Sequence, residues 1–291
     1  MSKPLLNEVE INIAEYENTK FNPVRSIFYD FLFRINVKRY MKGKRLIANN
    51  IGHIFPYIKR IPFDVVGHKN IRARIIFNNS HDAWFSFKSD TIESDFKTAI
   101  HMIFKESDQK SDFNFLDIGA NTGIVSSLFI TEFFESMSGK LNVVAVEPQT
   151  ELIPRLATNL VLNRQNANIR IFNCALGEID QRITMKIRKS NRGASMIGST
   201  CNEGYGIPML RPIEILDQVG WSKIDFMKID VEAYEYPIIK SMLHDNIRPQ
   251  YIWIEIKADF DGKVKNLLNQ FGYESVMTSE EDALYILNNI D

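Results

Sequence analysis

From about residue 82 onward, short apolar runs alternate with stretches of helical periodicity. Residues 113–118, 141–146 and 169–172 are apolar runs of strand length, and 225–229 and 251–256 continue the series. Strands separated by helical segments predict βαβ units and a mostly parallel, doubly wound sheet with helices on both faces. The end of the chain departs from this rhythm. Residues 272–277 and 282–287 are separated only by Thr278-Ser279-Glu280-Glu281, too short for a parallel crossover, so they predict an antiparallel hairpin. Upstream, residues 63–77 read as another hairpin, with Gly67-His68-Lys69-Asn70 at its turn. An aromatic stretch at 27–33 runs into a basic one carrying Arg34, Lys38, Arg39, Lys42, Lys44 and Arg45, a pattern that fits an amphipathic helix. Residues 1–22 are polar and are expected to be loosely ordered. The chain thus divides into an N-terminal helical extension plus β-hairpin over 1–80 and an α/β domain over 81–291.

Composition changes this picture little. Hydrophobic residues make up 45% of the 291, enough for a sizeable core, and charged residues 24%. A net charge of -1 gives no global attraction to nucleic acid, and no nucleic-acid partner is expected. The two cysteines, Cys174 and Cys201, lack metal-ligand spacing, which argues against a disulfide framework or zinc site and for a reducing compartment. The start of the chain lacks the basic and apolar regions of a signal peptide. No apolar run approaches the roughly 20 residues of a membrane helix, so a cytoplasmic location is expected. The segment 27–45 carries two readings, a helix packed on the main domain with a solvated basic rim, or a peripheral contact with an anionic membrane or lipid-linked substrate.

The chemistry sits at the ends of the apolar runs. Phe115-Leu116-Asp117-Ile118-Gly119-Ala120-Asn121-Thr122-Gly123 closes one strand and opens a helix. Glycines there let the backbone turn sharply and approach a ligand. A nicotinamide site would show G-x-G-x-x-G and place pyrophosphate on the helix N-terminus. Here the spacing is D-x-G-x-x-x-G, and Asp117 would repel pyrophosphate. S-adenosylmethionine instead carries an ammonium group, which Asp117 can hold directly or through water. The next strand ends in Val146-Glu147-Pro148, where Glu147 is placed to accept the ribose hydroxyls. After the third strand, the small residues of Asn173-Cys174-Ala175-Leu176 let adenine lie against the backbone, with Leu176 as an apolar wall. Cys174 itself reads as a small core residue. The fourth strand delivers Lys228, Asp230, Glu232, Tyr234 and Glu235 to the edge where open α/β sheets bind ligands. Lys228 and Asp230 share a strand face and can pair. Glu255, after the fifth strand, adds another acid.

Together these segments resemble the FkbM family of methyltransferases. The resemblance rests on the Asp117–Gly123 turn, Val-Glu-Pro, Asn159 and Asn163, Ala-Leu-Gly-Glu at 175–178, Lys-Ile-Asp-Val-Glu at 228–232 and Ile-Glu at 254–255, in family order over about residues 82–257. One departure is Ala233, where the family usually carries glycine, a change expected to alter how the backbone turns beside the substrate. The resemblance implies a class I, Rossmann-like methyltransferase fold whose parallel sheet ends in an antiparallel strand. It also implies O-methylation of a hydroxyl on a sugar, glycan or related small-molecule acceptor. The first 80 residues lie outside it, and acceptor choice is expected to involve them.

Asp117, Gly119, Ala120, Asn121, Gly123, Glu147, Pro148, Ala175 and Leu176 are therefore the cofactor-side candidates. Asp230 or Glu232 is the candidate base for the hydroxyl proton, with Lys228 supporting the developing oxyanion. His81, Asp82, Ser195, Tyr234, Glu235 and Glu255 are acceptor-side candidates. The carboxylates Asp230, Glu232 and Glu255 permit a divalent metal, but nothing in their spacing demands one. A catalytically silent binding module and a nucleic-acid methyltransferase are the competing readings.

Overall fold

The computed structural model describes residues 9–22, 63–66, 71–75, 94–186, 196–198, 205–256, 262–279 and 281–288. The segment 27–45, the turn 67–70, and His81, Asp82 and Ser195 lie outside the described residues. In chain order the elements are β1 (Glu10–Ile11), a 3-10 turn (Ile13–Tyr16), β2 (Phe63–Val66), β3 (Arg72–Ile75), α1 (Ser94–Glu106), β4 (Phe113–Ile118), α2 (Ile124–Ser136), β5 (Leu141–Val146), α3 (Ile153–Asn163) and β6 (Asn168–Phe172). There follow β7 (Ala175–Leu176), β8 (Gln181–Lys186), β9 (Met196–Gly198), β10 (Tyr205–Leu210), α4 (Pro212–Val219), β11 (Phe226–Ile229), α5 (Glu235–His244), β12 (Tyr251–Glu255), α6 (Lys263–Gln270), β13 (Tyr273–Thr278) and β14 (Asp282–Leu287).

The main sheet has the order β1-β6-β5-β4-β11-β12-β14-β13. Pairing is parallel from β6 across to β12, whereas β14 runs antiparallel to both β12 and β13. The C-terminal hairpin is therefore present as expected, but its second strand inserts beside β12 and pushes β13 to the edge. This is the class I methyltransferase arrangement, a Rossmann-like parallel sheet with one reversed strand near its end.

Alternation along each strand divides the interior into two layers. Phe113 and Phe115 of β4, Val143 and Ala145 of β5, Phe226 of β11 and Trp253 of β12 join one cluster, with Phe96 and Phe104 of α1 and Phe129 and Phe133 of α2. The intervening residues Leu116, Ile118, Val144, Val146, Met227, Ile229, Ile252 and Ile254 face the other, against α4, α5 and α6. Phe115 stacks on Phe129 with centroids 4.0 Å apart and on Phe226 at 5.4 Å, so the strands that carry the functional ends are locked by aromatic packing. Both faces are covered, which explains why these strands read as continuous apolar runs.

Two features depart from the sequence reading. Residues 9–22 are not loosely attached. β1 pairs antiparallel with β6, Val9 is buried, and Arg170 makes a two-pronged contact with Glu10 at 2.6 and 2.7 Å. A two-residue strand is too short to show periodicity, and its backbone bonds come from the sheet edge. Second, β7, β10, β8 and β9 form a separate four-stranded sheet. β7 meets β10 only at Met209 and Leu210, so among the described residues Pro208 lies where that side of β10 has no strand partner. The 63–77 hairpin is found as β2 paired antiparallel with β3. Among the described residues no helix is long and apolar enough to cross a membrane.

Candidate active site

The order of the main sheet reverses between β4 and β11. From β4 the chain builds outward through β5 and β6, then returns to place β11 on the other side. Ligands of open α/β sheets bind at the carboxyl ends beside such a switch point. A cleft of about 870 Å³, open solvent at its mouth included, lies there. Gly119, Ala120, Asn121, Glu147 and Pro148 line one part of it. Ala175 and Leu176 line another, and Lys228, Asp230, Glu232 and Tyr234 close the rest. Cys174 lines it beside them, and so do Met185 and Ile238, which the sequence reading does not propose.

The turn after β4 is built for close approach. Gly119 has φ of 80°, and a Cβ there would lie 1.9 Å from the Asp230 carbonyl oxygen, so glycine is what lets the ends of β4 and β11 meet. Its N–H and that of Ala120 both donate to the Val146 carbonyl, at 2.9 and 3.0 Å. Gly123 does not line the cleft. It caps α2 at φ of 77°, and a Cβ there would press on Leu156 at 2.7 Å.

Glu147 holds this turn. Its Oε2 accepts the Asn121 N–H and its Oε1 the Gln149 N–H, each at 2.8 Å. Burial pushes its carboxyl up to about 7, against the pull of those two N–H donors. Each oxygen keeps a further lone pair for a ligand hydroxyl.

Asp117 plays a different part from the expected one. It is fully buried and does not line the cleft. Its Oδ2 accepts the Ser126 hydroxyl, and its Oδ1 lies 3.4 Å from Lys228 Nζ. The cause is register: Asp117 of β4 sits opposite Lys228 of β11, on the sheet face that α2 covers. Lys228 is itself 5% exposed and also reaches Asp230 Oδ2 at 3.6 Å. The expected Lys228–Asp230 pair is thus present within a three-member chain running from the core to the cleft. Ser126 is not among the sequence candidates, and the adjacent Ser127 of the same helix turn gives no local signal that separates the two.

Two further acids lie outside the cleft lining. Glu235 is buried, and its Oε1 accepts the N–H groups of Val231 and Ala233 at 3.1 and 3.3 Å, which pins the turn. Glu255 likewise does not line the cleft. Burial, then the charges of Asp230, Glu232, Glu235 and Asp282, push its carboxyl up to about 8. Among the described residues no group of three or more His, Cys, Asp or Glu is arranged to hold a metal ion, so Asp230, Glu232 and Glu255 do not assemble as a ligand set.

The turn Glu235 pins is strained. Glu232 and Ala233 have φ of 55° and 76°, a region costing about 1–2 kcal/mol for a residue with a Cβ. Ala233 holds the left-handed bend that glycine adopts freely, so its departure from glycine appears as conformational cost. Because its methyl is exposed, Ala233→Gly is expected to raise stability by about 1 kcal/mol, read as a higher urea midpoint. A lower midpoint would show that strain at this bend is not the controlling quantity.

Sheet order and the reversed strand together define a class I methyltransferase fold. Residues 117–275 match the methyltransferase FkbM domain, and the chain belongs to that family. Among solved structures, an FkbM methyltransferase from Methylobacillus flagellatus KT is 13% identical with a TM-score of 0.39, covering 62% of this chain and 45% of its own. The chain thus spans less than half of that protein. An O-methyltransferase from Bacillus cereus in complex with SAH is 12% identical, with a TM-score of 0.42 and coverage of 68% and 83%. A precorrin-6y C5,15-methyltransferase from Geobacter metallireducens GS-15 is 13% identical, with a TM-score of 0.40 and coverage of 67% and 87%. No curated protein matches the chain.

Proposed function

We propose that the chain is an S-adenosylmethionine-dependent O-methyltransferase acting on a hydroxyl of a sugar, glycan or related small molecule. The observation that carries the reading is the juxtaposition of Glu147 and a small apolar wall with a carboxylate–ammonium pair in one cleft. These residues fit the cofactor: Glu147 offers carboxylate lone pairs for the ribose hydroxyls, and Leu176, Ala175 and Cys174 offer a small apolar wall for adenine. S-adenosylmethionine supplies an electrophilic methyl group. The protein's part is then to hold the acceptor oxygen in line, keep water away and remove one proton.

Asp230 suits the last task. Its side chain is about one-third exposed and faces the cleft, and Lys228 stands 3.6 Å from it. With the cofactor bound, the Asp230 carboxylate would take the hydroxyl proton as the acceptor oxygen displaced the thioether S-adenosylhomocysteine from the methyl carbon, and the Lys228 ammonium would offset the charge developing on oxygen. Glu232, on the same lip, is the second candidate base. A rim carrying Asp230 and Glu232 favours a neutral hydroxylic acceptor and repels a polyphosphate backbone. A cytoplasmic setting agrees with the buried free thiol of Cys174.

Calorimetric titration with S-adenosylhomocysteine tests the cofactor half of this reading, since a silent module gives no heat. The binding should also depend on pH. Free Glu147 releases its proton near 7, whereas hydroxyl donors on its oxygens favour the charged form and lower that value in the complex. The complex then holds fewer protons than the free protein, so affinity rises as pH rises through 7. The dissociation constant is expected to fall about tenfold between pH 6 and pH 8, with proton release detectable in buffers of different ionisation enthalpy. Glu147→Gln should abolish this dependence. A flat profile in the parent protein would remove Glu147 from the ribose site.

A further inference from the structure

We infer that Asn159 is a positioning residue that couples docking of the N-terminal hairpin to the cofactor turn, so that the hairpin helps set the affinity of the cleft. The inference rests on the proposed cofactor reading and concerns a contact between the matched domain and the hairpin, since β2 and β3 precede residue 117.

Asn159 and Asn163 stand one helical turn apart on α3, and both are buried. Each presents its carboxamide to the free edge of β3 as if it were a peptide group of a neighbouring strand. Asn159 Oδ1 accepts the Arg74 N–H at 2.6 Å, and its Nδ2 lies 3.4 Å from the Arg74 carbonyl. Asn163 repeats the pattern two residues back along the strand, accepting the Arg72 N–H at 2.9 Å and donating to the Arg72 carbonyl at 2.6 Å. The spacing matches because four helical residues rise about 6 Å and two strand residues about 6.7 Å. The other edge of β3 is taken by β2, and the Arg74 guanidinium grips fully buried Asp64 at 2.7 and 3.0 Å. The hairpin is therefore tied internally and hung on α3 by two rungs.

The two asparagines differ in one respect. Asn159 Nδ2 also donates to the Thr122 carbonyl at 2.7 Å, whereas the remaining bond of Asn163 goes to the Asn159 carbonyl. Thr122 lines the cleft, and its neighbour Asn121 gives its N–H to Glu147. One side chain thus spans the hairpin edge and the turn proposed to meet the nucleoside. Whatever holds the Asn159 carboxamide in place also holds that turn.

Asn159→Asp keeps the acceptor for Arg74 but sets an oxygen against the Thr122 carbonyl. Asn163→Asp makes the same chemical change against the Arg72 and Asn159 carbonyls, without touching Thr122. Both should lower the melting temperature. Measured where both are folded, Asn159→Asp should weaken S-adenosylhomocysteine binding about tenfold or more, with Asn163→Asp staying within about twofold of the parent. Coupling is reciprocal, so saturating S-adenosylhomocysteine should slow amide hydrogen exchange at residues 71–75 of the parent protein. That measurement needs no variant and tests the coupling even where a substitution prevents folding. Equal affinities in the two variants, or exchange at 71–75 indifferent to the ligand, would overturn the inference and leave the cofactor reading intact. Absence of binding to the parent protein would overturn both.

Discussion

Asp230→Asn is expected to lower kcat by about 10²- to 10⁴-fold, the range a positioned general base contributes, with S-adenosylhomocysteine affinity nearly unchanged. The expectation follows from what the substitution leaves in place. The backbone of Asp230 is fixed independently of its carboxylate, because its N–H donates to the Ile118 carbonyl at 3.1 Å and its own carbonyl packs over Gly119. Asparagine matches aspartate in shape, so the cleft keeps its walls and loses a proton acceptor. An alcohol gives up its proton only as the new bond forms, and an amide cannot take it. The measurement is the rate of S-adenosylhomocysteine release with an acceptor used by the parent enzyme, set beside calorimetric binding. Glu232→Gln serves as comparison and should cost less. Normal turnover in Asp230→Asn would remove it from the mechanism, and a larger loss in Glu232→Gln would move the base by two residues.

Lys228→Met should be the most destabilising of the conservative-volume changes considered, at about 3–5 kcal/mol. The cost comes from its partner. Asp117 is fully buried, and without the ammonium 3.4 Å away its carboxylate stays desolvated with the Ser126 hydroxyl as the donor in view. Burying an uncompensated charge costs far more than an ion pair contributes net, so removing both partners should hurt less than removing one. Asp117→Asn combined with Lys228→Met is therefore expected to recover a substantial share of the loss. Urea unfolding midpoints decide the matter. A single-variant loss below about 1 kcal/mol would contradict the burial argument, and strict additivity in the double variant would show that the two groups do not interact.

The two expectations differ in how far they were legible from sequence. Asp230 could be picked out directly: a strand-length apolar run ends in Lys-Ile-Asp-Val-Glu, and strand ends face the crevice. Glu147 was readable in the same way, as were Gly119 and the C-terminal hairpin. Asp117 is legible as part of the turn, whereas its burial beside Lys228 is not. Alternation says that residues 115 and 117 share a face, and it does not say that α2 seals that face. Glu235 and Glu255 were assigned to the acceptor because acids near a cleft suggest chemistry. Whether an acid points into the cleft or ties down a backbone turn depends on a few ångströms of loop geometry at Glu232 and Ala233, where no glycine announced the left-handed bend.

What the sequence determined by itself was the kind of layered sheet, the strands and helices that build it, and the residues delivered to its carboxyl edge. Those are properties of neighbours along the chain: periodicity, turn chemistry and the apolar runs of strands buried on both faces. Tertiary structure alone decided that Lys228 lies opposite Asp117, that β14 inserts beside β12, that residues 9–22 complete the sheet edge, and that two asparagines of α3 carry a hairpin some 85 residues upstream. Each of these joins groups far apart in sequence. Strand order and register bring them together, and no local pattern encodes either.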